Sequence, residues 1–191
     1  MRRLIAEEWI SLDGFAADKN NSTDFFRDIS LLQKNTAEQD QLKFMQSVDA
    51  ILLGRKTYEL FSSFWPGVSE EEEVIAGPIN NTRKIIFSNS LDDVSWGDYN
   101  NAEIISGDVV QSIRELKETE GGDIIVWGSV SLVQALLTND LVDELHITIC
   151  PVLLGEGLPL FPETESIRQF ELMELRNYNT GYVFFNYRPR R

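Results

Sequence analysis

The sequence predicts an α/β protein with a mostly parallel sheet, helices on both faces and antiparallel strands at one edge. Three observations carry this. Short apolar runs alternate with helical patterns as far as about Cys150, and only strand patterns follow. Twice an apolar run stops at a glycine that opens a helix, at Leu53-Gly54-Arg55 and at Trp127-Gly128-Ser129. The 191 residues show no repeat, no low-complexity linker and no break in composition, so one domain over 1–191 is expected.

Arg2 to Leu12 reads as the first strand, interrupted by Glu7 and Glu8; alternation sends these two to opposite faces. Asp13-Gly14 is a turn, and residues 16–35 form a polar, irregular stretch. Thr36 to Gln46 is helical, with Thr36 as N-cap. Ala50 to Leu53 is a short strand, and Arg55-Lys56-Thr57 opens a helix that buries Tyr58, Leu60, Phe61 and Phe64. The acids of Ser69 to Glu73 sit at the start of a further short helix, where they meet its dipole. Arg83 to Ser88 is a strand, Asn89 to Asn101 a loop, Glu103 to Ser106 a strand and Val109 to Glu118 a helix. Ile124 to Trp127, a helix through Leu136-Leu137, and a strand from Leu145 to Leu154 follow. Pro159 to Pro162 is a rigid crossover, and Phe170 to Tyr178 with Gly181 to Tyr187 close the chain as an antiparallel hairpin.

Bulk properties exclude several functions. A net charge of −14 argues against nucleic acid and against a polybasic membrane patch as main partner. The lone cysteine, Cys150, allows no intrachain disulfide, which suits a reducing cytoplasm. The N-terminal stretch is too short and acidic for a signal segment, and no apolar run approaches the roughly 20 residues of a membrane helix. One histidine and no cysteine pair make a metal site an unsuitable expectation.

The two glycine junctions are the candidate chemistry. A helix N-terminus offers free N–H groups to anions, and glycine lets a ligand approach the backbone. In an open parallel sheet both junctions, and Ser88, fall at the carboxyl ends of strands, where ligands collect. Arg55 and Lys56 form a compact basic spot beside one of them, and Thr57 adds a hydroxyl. Neither junction matches the usual dinucleotide or triphosphate glycine fingerprint.

In chain order, Ser11-Leu12-Asp13-Gly14, Gly54 to Glu59 (GRKTYE), Ile85 to Ser88 (IIFS), Gly128-Ser129 with Leu132-Val133, Leu141 to Leu145 (LVDEL) and Pro151 to Gly157 (PVLLGEG) resemble the dihydrofolate-reductase-like superfamily. The likeness is greatest to the reductase domain of bacterial riboflavin biosynthesis and its stand-alone relatives. It implies a three-layer fold with about eight strands, NADPH as hydride donor, a homodimer, and reduction of a small heterocyclic or ribosyl-pyrimidine substrate such as 5-amino-6-(5-phosphoribosylamino)uracil. By position, it puts Arg55 at the adenosine 2′-phosphate and Thr57 at the pyrophosphate, with Gly54 and Lys56 in the same turn. Ser88 falls near the adenosine ribose phosphate. Gly128 and Ser129 approach the pyrophosphate and nicotinamide, and Val130, Ser131 and Leu132 continue the contact. Asn89 stands where relatives often place an arginine, so NADH is not excluded.

Reduction of a C=N or masked carbonyl also needs a proton donor. Asp40, one helical turn before Phe44, resembles the acid of the folate enzymes; Glu7 and Asp13 are the other candidates. His146 reads as a hydrogen-bonded strand residue and Cys150 as a buried thiol. A protein that keeps the fold as a non-catalytic nucleotide-binding scaffold is the alternative to a reductase. A true dihydrofolate reductase is disfavoured by serine at position 129 and by the short link from Phe44 to Gly54.

Overall fold

The computed structural model describes residues 1–26, 37–164, 167–178 and 181–190. Thr36, the expected N-cap, and part of the polar stretch lie outside them. The strands are β1 (Leu4–Ile10), β2 (Phe15–Asp18), β3 (Val48–Gly54), β4 (Arg83–Phe87), β5 (Ala102–Ile105), β6 (Asp123–Trp127), β7 (Glu144–Ile149), β8 (Gly157–Pro159), β9 (Phe170–Asn177) and β10 (Val183–Pro189). The helices are α1 (Ala37–Met45), α2 (Arg55–Phe64), α3 (Ala76–Asn81), α4 (Val109–Glu118) and α5 (Val130–Thr138).

Eight strands form one sheet in the order β5-β4-β3-β6-β1-β7-β10-β9. The first six run parallel, β10 is antiparallel to β7, and β9 is antiparallel to β10. The expected mostly parallel sheet with antiparallel C-terminal strands is therefore present. Strands inside such a sheet are covered on both faces, which is why Ala50 to Leu53 in β3 and Ile124 to Trp127 in β6 read as unbroken apolar runs. One core joins Leu4, Ala6, Leu52, Ile124 and Val126 to α4 and α5. The other joins Ile51, Leu53, Ile125 and Trp127 to α1, α2 and α3. Asp108 caps α4 by accepting from the Val110 and Gln111 amides at 2.9 and 3.1 Å.

Some expectations change. The strand expected over Leu145 to Leu154 ends at Ile149, because Pro151 has no N–H for a ladder; the Cys150 amide still donates to Ile10 O at 2.7 Å. Cys150 itself is buried, and burial pushes its thiol up to about 12. The acids of 69–73 lie in a turn, with Glu72 accepting from the Ser69 amide and hydroxyl, and α3 starts only at Ala76. Inside the stretch expected as irregular, β2 pairs with β8 in a separate two-stranded ribbon. Gly157 is required there, since a Cβ would sit 2.2 Å from Ala17 O.

The 89–101 loop hides the largest fully buried side chain, Trp96, whose indole donates to Asn80 Oδ1 at 2.7 Å. Beside it Lys84 Nζ donates to Asn80 O at 2.6 Å and lies 4.4 Å over the indole ring. Burial lowers this lysine from 10.5 to about 7. From about pH 7 up to its ordinary value, the unfolded chain holds a proton that the folded chain has lost, so this group makes stability rise with pH. His146, whose pKa is raised, contributes the opposite slope, so the contribution of Lys84 is read as a difference. Urea unfolding of wild type and Lys84→Met is expected to show the stability gap between them moving in favour of wild type as pH rises above about 7. A gap that is constant with pH removes this assignment.

Candidate active site

The site begins with two junctions brought together by sheet order. β3 and β6 are parallel neighbours, so Gly54, which ends β3, and Gly128, which follows β6, lie side by side. The Gly54 amide donates to Ser129 Oγ at 2.8 Å, and the Ser129 amide donates to Thr57 Oγ1 at 3.0 Å. Each hydroxyl accepts one amide and keeps its own proton to donate. Ser129 holds a left-handed backbone at φ 59°, and Gly128 precedes it at φ 64°. A Cβ on Gly128 would meet Thr57 Cγ2 at 3.0 Å, so backbone lies close against side chain here.

Neither α2 nor α5 has a side-chain cap hydrogen bond at its N-terminus. Two adjacent helix starts thus face the same edge with first-turn amides directed outward. Ser88 follows β4, whose Phe87 is registered with Gly54, and so lies on this edge; its Oγ accepts from the Ser90 and Leu91 amides. Lys56 and Ser131 are exposed beside the junctions, and Val130 is half-buried. Gly54, Lys56, Thr57, Ser88, Gly128, Ser129, Val130 and Ser131 thus share one edge.

Two of the expected cofactor residues are placed differently. Leu132 is buried in the core, and its amide donates to Ser129 O at 2.7 Å; it supports the turn from within. The Arg55 guanidinium lies along its own helix, 2.8 Å from Glu59, an i,i+4 pair that the isolated GRKTYE motif already contains.

The acids separate clearly. Glu7, on β1, is buried and registered with Trp127 on one side and His146 on the other. It therefore sits one residue short of the Gly128 junction, on the face covered by α1. Gln41 on α1 donates to Glu7 Oε1 at 2.9 Å, and His146 Nδ1 lies 3.9 Å from Oε2. Asp40 instead turns toward the C-terminal hairpin, 3.3 Å from Arg176 and 3.5 Å from the Tyr178 hydroxyl. Asp13 holds two loops together, accepting from the Gly155 amide at 2.7 Å and from Ser11 Oγ at 2.6 Å; these bonds lower its pKa, Ser11 first.

The sequence reading missed Gln41, Glu144 and the role of His146. The signal was present: Glu7 and His146 are single polar residues on what become neighbouring strands, and their register makes them adjacent. Glu8 was also passed over. It points to the opposite face, and its Oε1 has no hydrogen-bond partner among the described residues. Burial first, and the Glu7 charge second, push its carboxyl well above the ordinary range, which favours its protonated form.

Comparison with known proteins accords with this geometry. The family model described as the RibD C-terminal domain matches residues 2–184. The uncharacterized protein YyaP of Bacillus subtilis (strain 168) is 28% identical over 184 residues, covering 95% of this chain and 92% of that one. A crystal structure from Shewanella sp. PV-4, described as a candidate riboflavin biosynthesis protein, is 26% identical and superposes with a TM-score of 0.79 over 99% of both chains. Dihydrofolate reductase from Enterococcus faecalis, complexed with NADP(H), is 13% identical with a TM-score of 0.62, covering 99% of this chain and 97% of that one, which shows a common fold.

Gly128→Ala is expected to destabilise the protein by about 1–2 kcal/mol from its left-handed backbone, and more if Thr57 cannot shift. Thr57→Val, which leaves the Ser129 amide without its acceptor, is expected to cost about 1–3 kcal/mol. Chemical denaturation measures both, and an unchanged midpoint in both variants rules out the junction contacts as described.

Proposed function

The chain belongs to the RibD C-terminal domain family, and from that premise we propose that it is an NADPH-dependent reductase of the riboflavin-biosynthesis type. The substrate is a small heterocycle or ribosyl-pyrimidine, with 5-amino-6-(5-phosphoribosylamino)uracil as the first to try. The observation that carries this reading is the paired junction, where two uncapped helix starts and two hydroxyls that still have protons to donate converge on one edge. A pyrophosphate fits that donor set, and the complex of Enterococcus faecalis dihydrofolate reductase with NADP(H) supports a dinucleotide on this fold.

When bound, the nicotinamide supplies a hydride. The chain's own residues do the rest. Thr57, Ser129, the first-turn amides of α2 and the Val130 and Ser131 amides of α5 would hold the phosphates. Lys56 adds positive charge at the same turn. Glu7, next to Trp127 and thus beside the junction, delivers a proton to the substrate nitrogen or oxygen, with Gln41 fixing one carboxyl oxygen. With Arg55 engaged by Glu59, the 2′-phosphate of NADPH has to draw the guanidinium away from an exposed ion pair, which is worth about 0–1 kcal/mol and is readily exchanged.

The functional unit we propose is a dimer of this chain. The apolar run from Leu145 toward Leu154 is long for a small domain's edge, but β7, which it forms, lies inside the sheet. One of the sheet's two edges is β9, with Leu172, Met173 and Leu175 exposed, and Phe185 and Tyr187 stack half-buried on neighbouring β10. Such an apolar edge strand is usually covered. Sedimentation of wild type at micromolar concentration is expected to give a dimer, and Leu175→Lys a monomer; a monomeric wild type ends this part of the proposal.

NADPH at about 100-fold its Kd is expected to add about 2.7 kcal/mol, which raises Tm by about 5–10 °C. Glu7→Gln should keep that shift while turnover of the aminouracil falls about 100-fold or more. No shift with NADPH or NADH overturns the reductase reading. Binding without turnover on any pterin or aminouracil favours a scaffold, and ordinary rates on dihydrofolate indicate a folate enzyme.

A further inference from the structure

The polar row that contains Glu7 continues across the sheet. Glu7, His146 and Asn186 are registered neighbours on β1, β7 and β10, so they share one face. Both ring nitrogens of His146 face carboxylates: Nδ1 is 3.9 Å from Glu7 Oε2, and Nε2 is 3.4 Å from Glu144 Oε2. Glu144 is anchored from the far side by Asn186 Nδ2 at 3.0 Å, Arg3 at 3.1 Å and Arg188 at 3.3 Å. All three members of the row Glu7, His146 and Glu144 are buried, yet Glu144 borders a surface cavity of about 340 Å³ that Arg3, Asp143 and Arg188 also line. The row therefore runs from beside the nucleotide junction to an opening near the N-terminus.

We infer that His146 is a positioning residue for the reduction: it stores a proton as imidazolium between the two carboxylates and passes it through Glu7 to the substrate. This rests on the reductase reading above. Before reaction Glu7 and Glu144 are carboxylates and His146 carries both ring protons. A bound nicotinamide would supply the hydride to the substrate carbon, and the chain's own residues move the proton. The Nδ1 proton moves to Glu7, and the Glu7 carboxyl gives a proton to the substrate nitrogen or oxygen. Glu7 ends as carboxylate and His146 as neutral imidazole with Nε2–H kept toward Glu144. Solvent restores the missing proton after product leaves.

The surroundings fit that assignment. Glu7 faces the ring from β1, Glu144 from its own strand, and Glu174 from β9 adds a further negative charge. The cations of the region, Arg3 and Arg188, lie behind Glu144, and Arg176 lies behind the Phe184 ring at 4.8 Å. Phe44 from α1 and Phe184 from β10 pack on the imidazole at 5.0 and 5.3 Å and exclude water. Burial lowers a histidine, but here the hydrogen bond to Glu144 and the nearby Glu7 carboxylate outweigh it and the pKa is raised. Glu144, bonded first by His146 and then by Asn186, Arg3 and Arg188, is lowered to about 2 and stays ionised. It fixes the ring and leaves Glu7 as the partner that can take the proton.

The chain holds one histidine, so imidazole ¹⁵N NMR of this 191-residue chain reads His146 without assignment. Wild type is expected to show an imidazolium midpoint above 6.5 that falls in Glu7→Gln. A neutral ring at pH 6.5, or a midpoint indifferent to Glu7→Gln, overturns the stored proton whatever the activity. With NADPH and the aminouracil, wild-type kcat is expected to fall as pH rises through that midpoint. His146→Gln should lower kcat about tenfold or more below the midpoint and abolish that limb, while the NADPH-induced rise in Tm persists. A variant slowed equally at every pH has lost only packing, and that sinks the relay. If His146→Gln fails to fold, Glu144→Gln is expected to lower the NMR midpoint and shift the kcat limb with it. Absence of the NADPH-induced rise in wild type marks failure of the reductase reading instead, and delivery to a substrate falls with it.

Discussion

The reciprocal bond between two distant turns is the constraint on which the rest depends. Gly54 gives its amide to Ser129, and Ser129 gives its amide to Thr57, so residues more than 70 positions apart lock one another's backbone. Parallel pairing of β3 with β6 makes the exchange possible, and the left-handed Gly128-Ser129 pair makes it geometrically closed. Because the hydroxyls absorb the strand-end amides, the first-turn amides of α2 and α5 remain directed at the edge. The clasp organises the two helix starts and at the same time prevents them from satisfying each other.

The acids of β1 show how a strand can carry opposite electrostatics on its two faces. Glu7 meets Gln41 and His146, whereas Glu8 enters the other core, where one oxygen has no partner among the described residues and burial raises its carboxyl. Two adjacent carboxylates in a sheet interior would repel if both were charged. Desolvation disfavours the charged form of Glu8 and so eases that conflict, while Glu7 lies on the face that has polar partners.

Much of this was legible beforehand. The alternation of apolar runs and helices identified the layers, and glycine at two strand ends identified the edge. The motif order from Ser11 to Gly157 identified the family. What was lost depended on contacts between separate elements. Asp40 and Gln41 are neighbours on one helix, and only the angle of α1 over the sheet decides which of them reaches Glu7. Arg55 looked available because its i,i+4 partner was read as part of a motif. Trp96 sat in a loop without periodicity, yet it fills the space beneath α3, where Asn80 receives its indole. The ribbon of β2 with β8 joins segments about 140 residues apart, too far for any local pattern to reveal.

The buried Cys150 has a use beyond packing. Its thiol is fully covered, its pKa is high, and its amide is bonded to the end of β1 at the middle of the sheet. A maleimide or disulfide reagent can therefore couple only when that seam parts. The labelling half-life is a clock for breathing of the molecule's centre, and slowing of the clock by a bound small molecule registers occupancy with no need for turnover or an optical signal.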